Sequence, residues 1–248
     1  MKILVLNPNT SATMSAEIDA AARAAAGPGT EILTTQPNFG SVAIDSAAES
    51  YLSAVGVMDI VAAQLASGTF DADAVVLAGF GEHGKDALQE MLEVPVLDIT
   101  ESAAHVAQLI GRRFSVVTTL ARSIAPIEDR LLLAGLAAHC ASVRACGLGT
   151  AELDADPAGA VKAIVAEAER AVMQDGADVI CLGCAGMAGV TGAITDALGV
   201  PAVDGVAAAV GLAQMLVGLD LSTSKAGAYA PGPDNVRTYW PLSKALGL

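Results

Sequence analysis

Aromatic side chains are nearly absent from this chain. One Trp, three Tyr and four Phe make up 3% of its residues. Without bulky rings, a core must be filled by Ala, Val and Leu, and apolar types reach 53% of the 248 residues. That composition suits helices packed closely on a parallel sheet. Basic residues are also scarce: 13 Lys and Arg stand against 27 Asp and Glu, a formal charge of −14. This excludes a nucleic-acid partner, which needs basic surface to neutralise phosphate. An anionic small-molecule substrate would have to be met by backbone amides.

Cysteine is sparse as well. Cys140, Cys146, Cys181 and Cys184 are too few and too scattered for a disulfide framework, so reduced thiols and a cytoplasmic location are expected. No run reads as a signal peptide or membrane span, and no membrane partner is expected, because the apolar ILVL at the start is short and breaks into Asn7-Pro8-Asn9-Thr10. There is no phosphate-binding loop, HExxH or GxSxG. Gly79–Gly84 (GFGEHG) has its third glycine misplaced for a dinucleotide site. Cys181 and Cys184 have CxxC spacing, but Cys181 falls in mid-strand and no second ligand pair is near. No metal and no cofactor are expected.

What is present is an alternation of strands and helices. Strands are predicted at Lys2–Leu6, Glu31–Thr35, Ala74–Leu77 and Pro95–Ile99, with helices at Ala12–Ala26, Ala43–Ala66 and His83–Leu92. The pattern restarts with strands at Phe114–Thr118, Ser142–Ala145, Val179–Leu182 and Pro201–Val203. Its helices are Ile124–Ala137, Pro157–Gln174, Thr191–Leu198 and Val206–Leu219. The tail, Ser222–Leu248, reads as a loop with a short final helix that packs back on the first half. Such alternation means parallel βαβ units and an α/β fold.

The halves also resemble each other in sequence. When Asp73 is set on Asp178, Gly79 falls on Cys184, 105 positions later, Gly81 on Gly186 and Gly84 on Gly189. After one inserted residue, Val94-Pro95 matches Val200-Pro201 and Asp98 matches Asp204. Two similar α/β domains related by a pseudo-two-fold axis are expected. The first spans 1–98 plus 220–248 and carries NPNT and the Gly79 loop; the second spans 99–219 and carries the Cys184 loop. Ligands of parallel sheets bind beyond the carboxyl ends of strands. The expected site is therefore an interdomain cleft lined by the loops after Leu6, Leu77, Thr118 and Leu182.

Cys184 is the leading candidate. At a strand-to-helix turn it meets backbone N–H groups and the positive end of a helix, both of which favour a thiolate. Asn9 and Thr10 offer amide and hydroxyl groups that could grip a carbonyl, or could form an ordinary turn and cap. Thr118 and Thr119 offer two hydroxyls in a similar place. Glu82 and His83 are the only titratable groups after Gly79 in its loop. Asp98 and Asp204 are expected to cap helices. An apolar, Ala-rich helical surface makes a homo-oligomer the expectation.

NPNT at Asn7–Thr10, LGCAGM at Leu182–Met187 and TSKA at Thr223–Ala226 resemble the hydantoin and allantoin racemases of the aspartate/glutamate racemase superfamily. The resemblance covers essentially the whole chain. It implies two α/β domains and a cofactor-independent isomerase acting on a 5-substituted hydantoin or allantoin. In that family two cysteines face the substrate carbon, one removing a proton and the other returning one. By resemblance Cys184 is one of the pair. Asn9, Thr10, Thr118, Thr119 and the amides of Phe80, Gly81, Ala185 and Gly186 would contact the ring or its carbonyls.

The departure is Gly79, where the family has its other cysteine, typically followed by Phe-Gly-Asp-Pro-Gly; here Glu82-His83 replaces Asp-Pro. Three accounts stand open. Gly79 is an engineered replacement, or His83 or water serves as the second partner, or the chemistry is one-sided. One-sided chemistry would make the protein similar to arylmalonate decarboxylase or maleate isomerase, using Cys184 alone. Phe80-Gly81 counts against decarboxylation, because that enzyme has hydroxyl residues at the equivalent turn.

Overall fold

A computed structural model of the chain describes residues 1–232. The short helix expected at the end of the tail lies outside the described residues. Within them the fold is α/β, with two four-stranded sheets of the same wiring. Strands β1 (Lys2–Leu6), β2 (Glu31–Thr35), β3 (Ala74–Leu77) and β4 (Val96–Asp98) lie in the order β2-β1-β3-β4. Strands β5 (Phe114–Thr118), β6 (Cys140–Ala145), β7 (Val179–Leu182) and β8 (Ala202–Val203) lie in the order β6-β5-β7-β8. The strands pair in parallel, with Ile3 beside both Ile32 and Ala74, and Val116 beside both Val143 and Cys181.

The helices are α1 (Ala12–Ala25), α2 (Ala47–Ser67), α3 (Lys85–Met91), α4 (Ile99–Ile110), α5 (Ile124–Leu133), α6 (Thr150–Ala155), α7 (Pro157–Asp175), α8 (Thr191–Leu198) and α9 (Gly205–Gly218). Helices α4 and α6 are additions to the predicted set, and α5 stops four residues before the expected Ala137. Helix α2 begins later than the predicted Ala43, because the Ser46 side chain accepts from the Glu49 N–H and caps it there. Helix α2 is also long and apolar enough, by length and composition, to cross a membrane, which the sequence reading passed over. Here its Val57 and Val61 pack with Leu4, Leu6, Val75 and Leu77 of the first sheet.

The internal repeat extends to the hydrogen bonds. Asp73 Oδ2 accepts from the Lys2 N–H at the start of β1 (2.7 Å). The matching Asp178 accepts from the N–H groups of Arg112 and Arg113 just before β5 (2.8 and 2.9 Å). The Val75 N–H donates to Pro95 O (2.9 Å), and the matching Ile180 N–H to Pro201 O (3.0 Å). Asp98 caps α4 through the Glu101 N–H (2.8 Å), and its counterpart Asp204 accepts from the Val206 N–H (2.9 Å).

The chain forms two compact units. One is Met1–Leu77 with His83–Leu97 and Val210–Leu248; the other is Ala78–Glu82 with Asp98–Ala209. The expected domain limits differ by one residue at Asp98, which joins the second unit, and in two further places. The later limit falls inside α9 rather than after it, because Gln214 Oε1 accepts from the Gly27 N–H (2.7 Å) and the Thr30 hydroxyl (3.0 Å) of the first unit. The Gly79 loop joins the second unit rather than the first. Past α9 the tail returns to the first unit: the Thr223 N–H donates to Glu93 O (2.7 Å) and the Lys225 ammonium to Gln89 O (2.6 Å).

The core of the second unit follows the period-two rule of a strand covered on both faces. Phe114, Val116, Val179 and Cys181 face one way, against Ala103 and Ala107 of α4 and Ile127 and Leu131 of α5. Val117, Ile180 and Leu182 face the other, against Ala160, Ile164, Ala168 and Ala171 of α7 and Ile194 of α8. This alternation places Cys181 in the core and carries the chain on to Cys184 at the strand's end.

Candidate active site

Beyond β7 the chain is held by its neighbour β5. The Gly183 N–H donates to Val117 O (2.8 Å), and Gly183 O accepts from the Thr118 hydroxyl (3.1 Å). A Cβ at Gly183 would lie 2.9 Å from Thr118 Cβ and from Val116 Cγ1, so the close approach of the strands requires glycine there. Cys184 follows, extended and half-buried, and opens a 3-10 turn over Ala185–Val190. The first bond of that turn runs from the Met187 N–H to Cys184 O (3.1 Å). The N–H groups of Ala185 and Gly186 precede it and have no use inside the turn.

The other thiols sit in different surroundings. Cys181 is fully buried with Sγ 3.6 Å from Ala103 O, and burial raises its pKa far above the ordinary thiol range. Burial also pushes Cys140 up to about 11 and raises Cys146. None of the four cysteines forms a disulfide. The CxxC spacing therefore joins an inert core thiol to one at a turn. Among the described residues no group of His, Cys, Asp and Glu is arranged to hold a metal ion.

The Gly79 loop docks onto the second unit through three contacts. The Phe80 ring packs against the core around Ala103, Phe114 and Ile127. The Gly81 N–H donates to the buried Thr100 hydroxyl (2.8 Å), and Gly81 has φ 128°, in the region open to glycine. Glu82 pairs with Arg130 of α5, Nη1 to Oε2, at 2.8 Å. One expected role changes accordingly: the Gly81 amide is spent on Thr100 rather than on a ligand.

His83, the next residue, belongs to the first unit and is buried there. Its Nδ1 lies 3.0 Å from Ser53 Oγ and 3.4 Å from Ser50 Oγ on α2. The Ser53 hydroxyl also donates to Ser50 O (2.6 Å), which fixes it beside the ring.

The NPNT segment is built around Asn7, a fully buried amide at the end of β1. Its Nδ2 donates to Asn9 Oδ1 (2.9 Å), Ser15 Oγ (2.9 Å) and Ser11 O (3.3 Å), and its Oδ1 accepts from the Asn9 N–H (3.2 Å). Asn9 Oδ1 also accepts from the Ser11 N–H (2.9 Å). Two donors converge on that oxygen, which orients the Asn9 amide and turns its Nδ2 away from both. The Thr10 N–H donates to Ser41 O (2.9 Å) and Thr10 O accepts from Gln36 Nε2 (2.8 Å), so the Thr10 backbone is occupied and its side chain is half-exposed. Ser11 caps α1 through the Met14 N–H (3.2 Å).

Thr118 and Thr119 divide their duties. Thr118 spends its hydroxyl proton on Gly183 and so serves the Cys184 turn from behind. Thr119 uses its carbonyl for the Gly147 N–H (2.8 Å) and the Cys146 thiol (3.7 Å), with its side chain outside both bonds.

Sequence reasoning missed Thr100, Ser53 and Arg130. Arg130 is the only buried cation among the described residues, and its Nη2 also meets Glu101 Oε1 (2.6 Å) and Asp98 Oδ2 (3.1 Å). Burial opposes its charge, but Asp98, Glu101 and Glu82 outweigh burial and hold its pKa up. The available signal was an arginine on the apolar face of a helix.

A family model described as Asp/Glu/Hydantoin racemase matches residues 3–213. The crystal structure of an allantoin racemase from Pseudomonas fluorescens is 51% identical, covers 96% of this chain and 100% of its own, and superposes with a TM-score of 0.91. An allantoin racemase from Klebsiella pneumoniae is 37% identical over 99% of this chain and 98% of its own, with a TM-score of 0.92. A hydantoin racemase from Rhizobium meliloti is 38% identical over 93% of this chain and 94% of its own.

Proposed function

The chain belongs to the Asp/Glu/hydantoin racemase family and is an isomerase, and on that premise we propose that it racemises a cyclic ureide, a 5-substituted hydantoin or allantoin, by proton transfer between protein side chains. The observation that carries this reading is the Cys184 turn, read with the names of relatives that cover more than nine-tenths of the chain. A hydrogen alpha to a ring carbonyl is weakly acidic, so removal needs a base on one face and donors for the enolate oxygen. Cys184 Sγ is the base on one face. The Ala185 and Gly186 N–H groups are the donors we assign to a ring carbonyl, with the Thr119 hydroxyl as a further contact.

The second proton carrier cannot be Gly79. We assign it to Glu82. His83 is buried and commits Nδ1 to Ser53 in the first unit, whereas the Glu82 side chain is 46% exposed and shares the second unit with Gly79 and Cys184. In one direction the Cys184 thiolate takes the hydrogen while the Glu82 carboxylic acid gives its proton to the opposite face. The enzyme is left with a thiol and a carboxylate, the form that accepts the mirror-image substrate. The one-sided lyase reading is not favoured, since the relatives above are all named racemases.

The test is deuterium exchange at the ring carbon of each enantiomer, followed with optical rotation. Glu82→Gln should slow racemisation by about 10²-fold or more, Cys184→Ala should abolish it, and His83→Asn should stay within about threefold of the parent. A parent-like rate in Glu82→Gln with a large loss in His83→Asn would transfer the role to the imidazole. No exchange with any hydantoin or allantoin would refute the substrate class.

A further inference from the structure

We propose that Arg130 is a positioning residue for the reaction, holding the Glu82 carboxylate in the orientation that proton transfer needs; this rests on the assignment of Glu82 above. The arrangement is too costly for a packing role. Arg130 is 7% exposed and its Nε is buried without a partner. A guanidinium withdrawn from water contributes less to stability than apolar side chains of equal volume. Its charge is balanced without Glu82: Asp98 is 1% exposed, Glu101 lies beside it, and both meet Nη2. Asp98 is itself fixed as the cap of α4 by the Glu101 N–H.

The guanidinium is thus clamped along one edge by the start of α4, and its Nη1 reaches Glu82 across 2.8 Å. The Glu82 end of that pair is 46% exposed, and an ion pair so open to solvent contributes little to stability. What the contact does supply is direction. Glu82 follows Gly81, whose N–H is tied to Thr100, so the backbone that carries the carboxylate is docked. The Nη1 contact, held by a planar guanidinium clamped at its other nitrogen, sets the direction of the carboxylate, and misplacing a reacting group by about 1 Å costs on the order of 10²-fold in rate.

Arg130→Lys keeps the positive charge beside Asp98 and Glu101 but loses the fork. It should lower kcat by about 10- to 100-fold with KM within about twofold. The loss should be asymmetric in D2O. The enantiomer that yields its hydrogen to Cys184 should still exchange within about threefold of the parent rate, while its mirror image should lose exchange with kcat. Glu82→Asp leaves the buried cluster untouched and shortens the reach by one methylene, and it should give the same asymmetry even if Arg130→Lys fails to fold. In a Glu82→Gln background, Arg130→Lys should add no more than about a twofold loss. Equal loss for both enantiomers, or additive losses in the double variant, would overturn the positioning role and leave Glu82 standing. A parent-like Glu82→Gln variant would overturn the assignment of Glu82, and the role of Arg130 with it.

Discussion

Replacing Thr118 by Val tests how the Cys184 turn is held. The substitution keeps the branched shape of a strand residue and removes only the hydroxyl that donates to Gly183 O across 3.1 Å. Both residues are buried, so the abandoned carbonyl finds no water. A buried acceptor left unsatisfied costs about 1–3 kcal/mol. For a protein of this size each kcal/mol moves the melting temperature by roughly 2–4 °C, so Thr118→Val should melt about 2–12 °C below the parent. The freed carbonyl belongs to the residue before Cys184, and kcat for racemisation should fall by about 10- to 100-fold. Thr118→Ser keeps the donor and should recover most of both losses. The assay pairs calorimetric melting with optical rotation on each enantiomer. If Thr118→Val melts and turns over like the parent, or if the serine variant is as impaired as the valine variant, Thr118 does not hold the turn.

Gly183→Ala should destabilise by about 1–3 kcal/mol in urea unfolding, because its Cβ would press on Thr118 Cβ and Val116 Cγ1 at 2.9 Å and on Thr118 Cα at 3.0 Å. Gly189→Ala is the control: its Cβ would meet nothing within 4 Å, and the change should stay within about 0.5 kcal/mol. Asp204 has its pKa raised by burial against the pull of the Val206 and Ala207 N–H groups. A raised carboxyl contributes stability below the ordinary Asp range, near pH 4, and loses it as pH rises through the shifted value. Asp204→Asn keeps an oxygen for the Val206 N–H, so its melting temperature should gain on the parent's between about pH 4 and pH 7; a difference flat across that range would refute the shift.

The legible parts of the fold were short apolar runs between clear breaks. Lys2–Leu6, Glu31–Thr35, Ala74–Leu77, Phe114–Thr118 and Val179–Leu182 are strands with the predicted ends. Helix α4 was signalled in the sequence only by the expected cap at Asp98, without a range, because it starts at Ile99 directly after β4, capped by the strand's own last residue, with no turn residue to mark the change. Ala43 and Ile44 looked helical because they are apolar, and only the Ser46–Glu49 bond says where α2 starts. In the site, residue type was visible but allegiance was not. The Gly81 amide and the Thr118 hydroxyl looked open to a ligand, yet their partners Thr100 and Gly183 lie 19 and 65 residues away. Arg130 gave no hint that two distant segments would bring it three carboxylates.

The division inside α9 also bears on how the chain is made. A polypeptide is synthesised from its N-terminus, and compact units fold as they are completed. The second unit needs only 78–82 and 98–209, all of which exist before the last part of α9 is translated. The first unit draws on the chain from Val210 onward, including Gln214 and the Thr223 and Lys225 bonds to the segment between β3 and β4. During synthesis the unit that carries Cys184 can therefore close first, although it is encoded second. The first unit is completed only after the chain past Val210 has emerged, although all four strands of its sheet lie before residue 99.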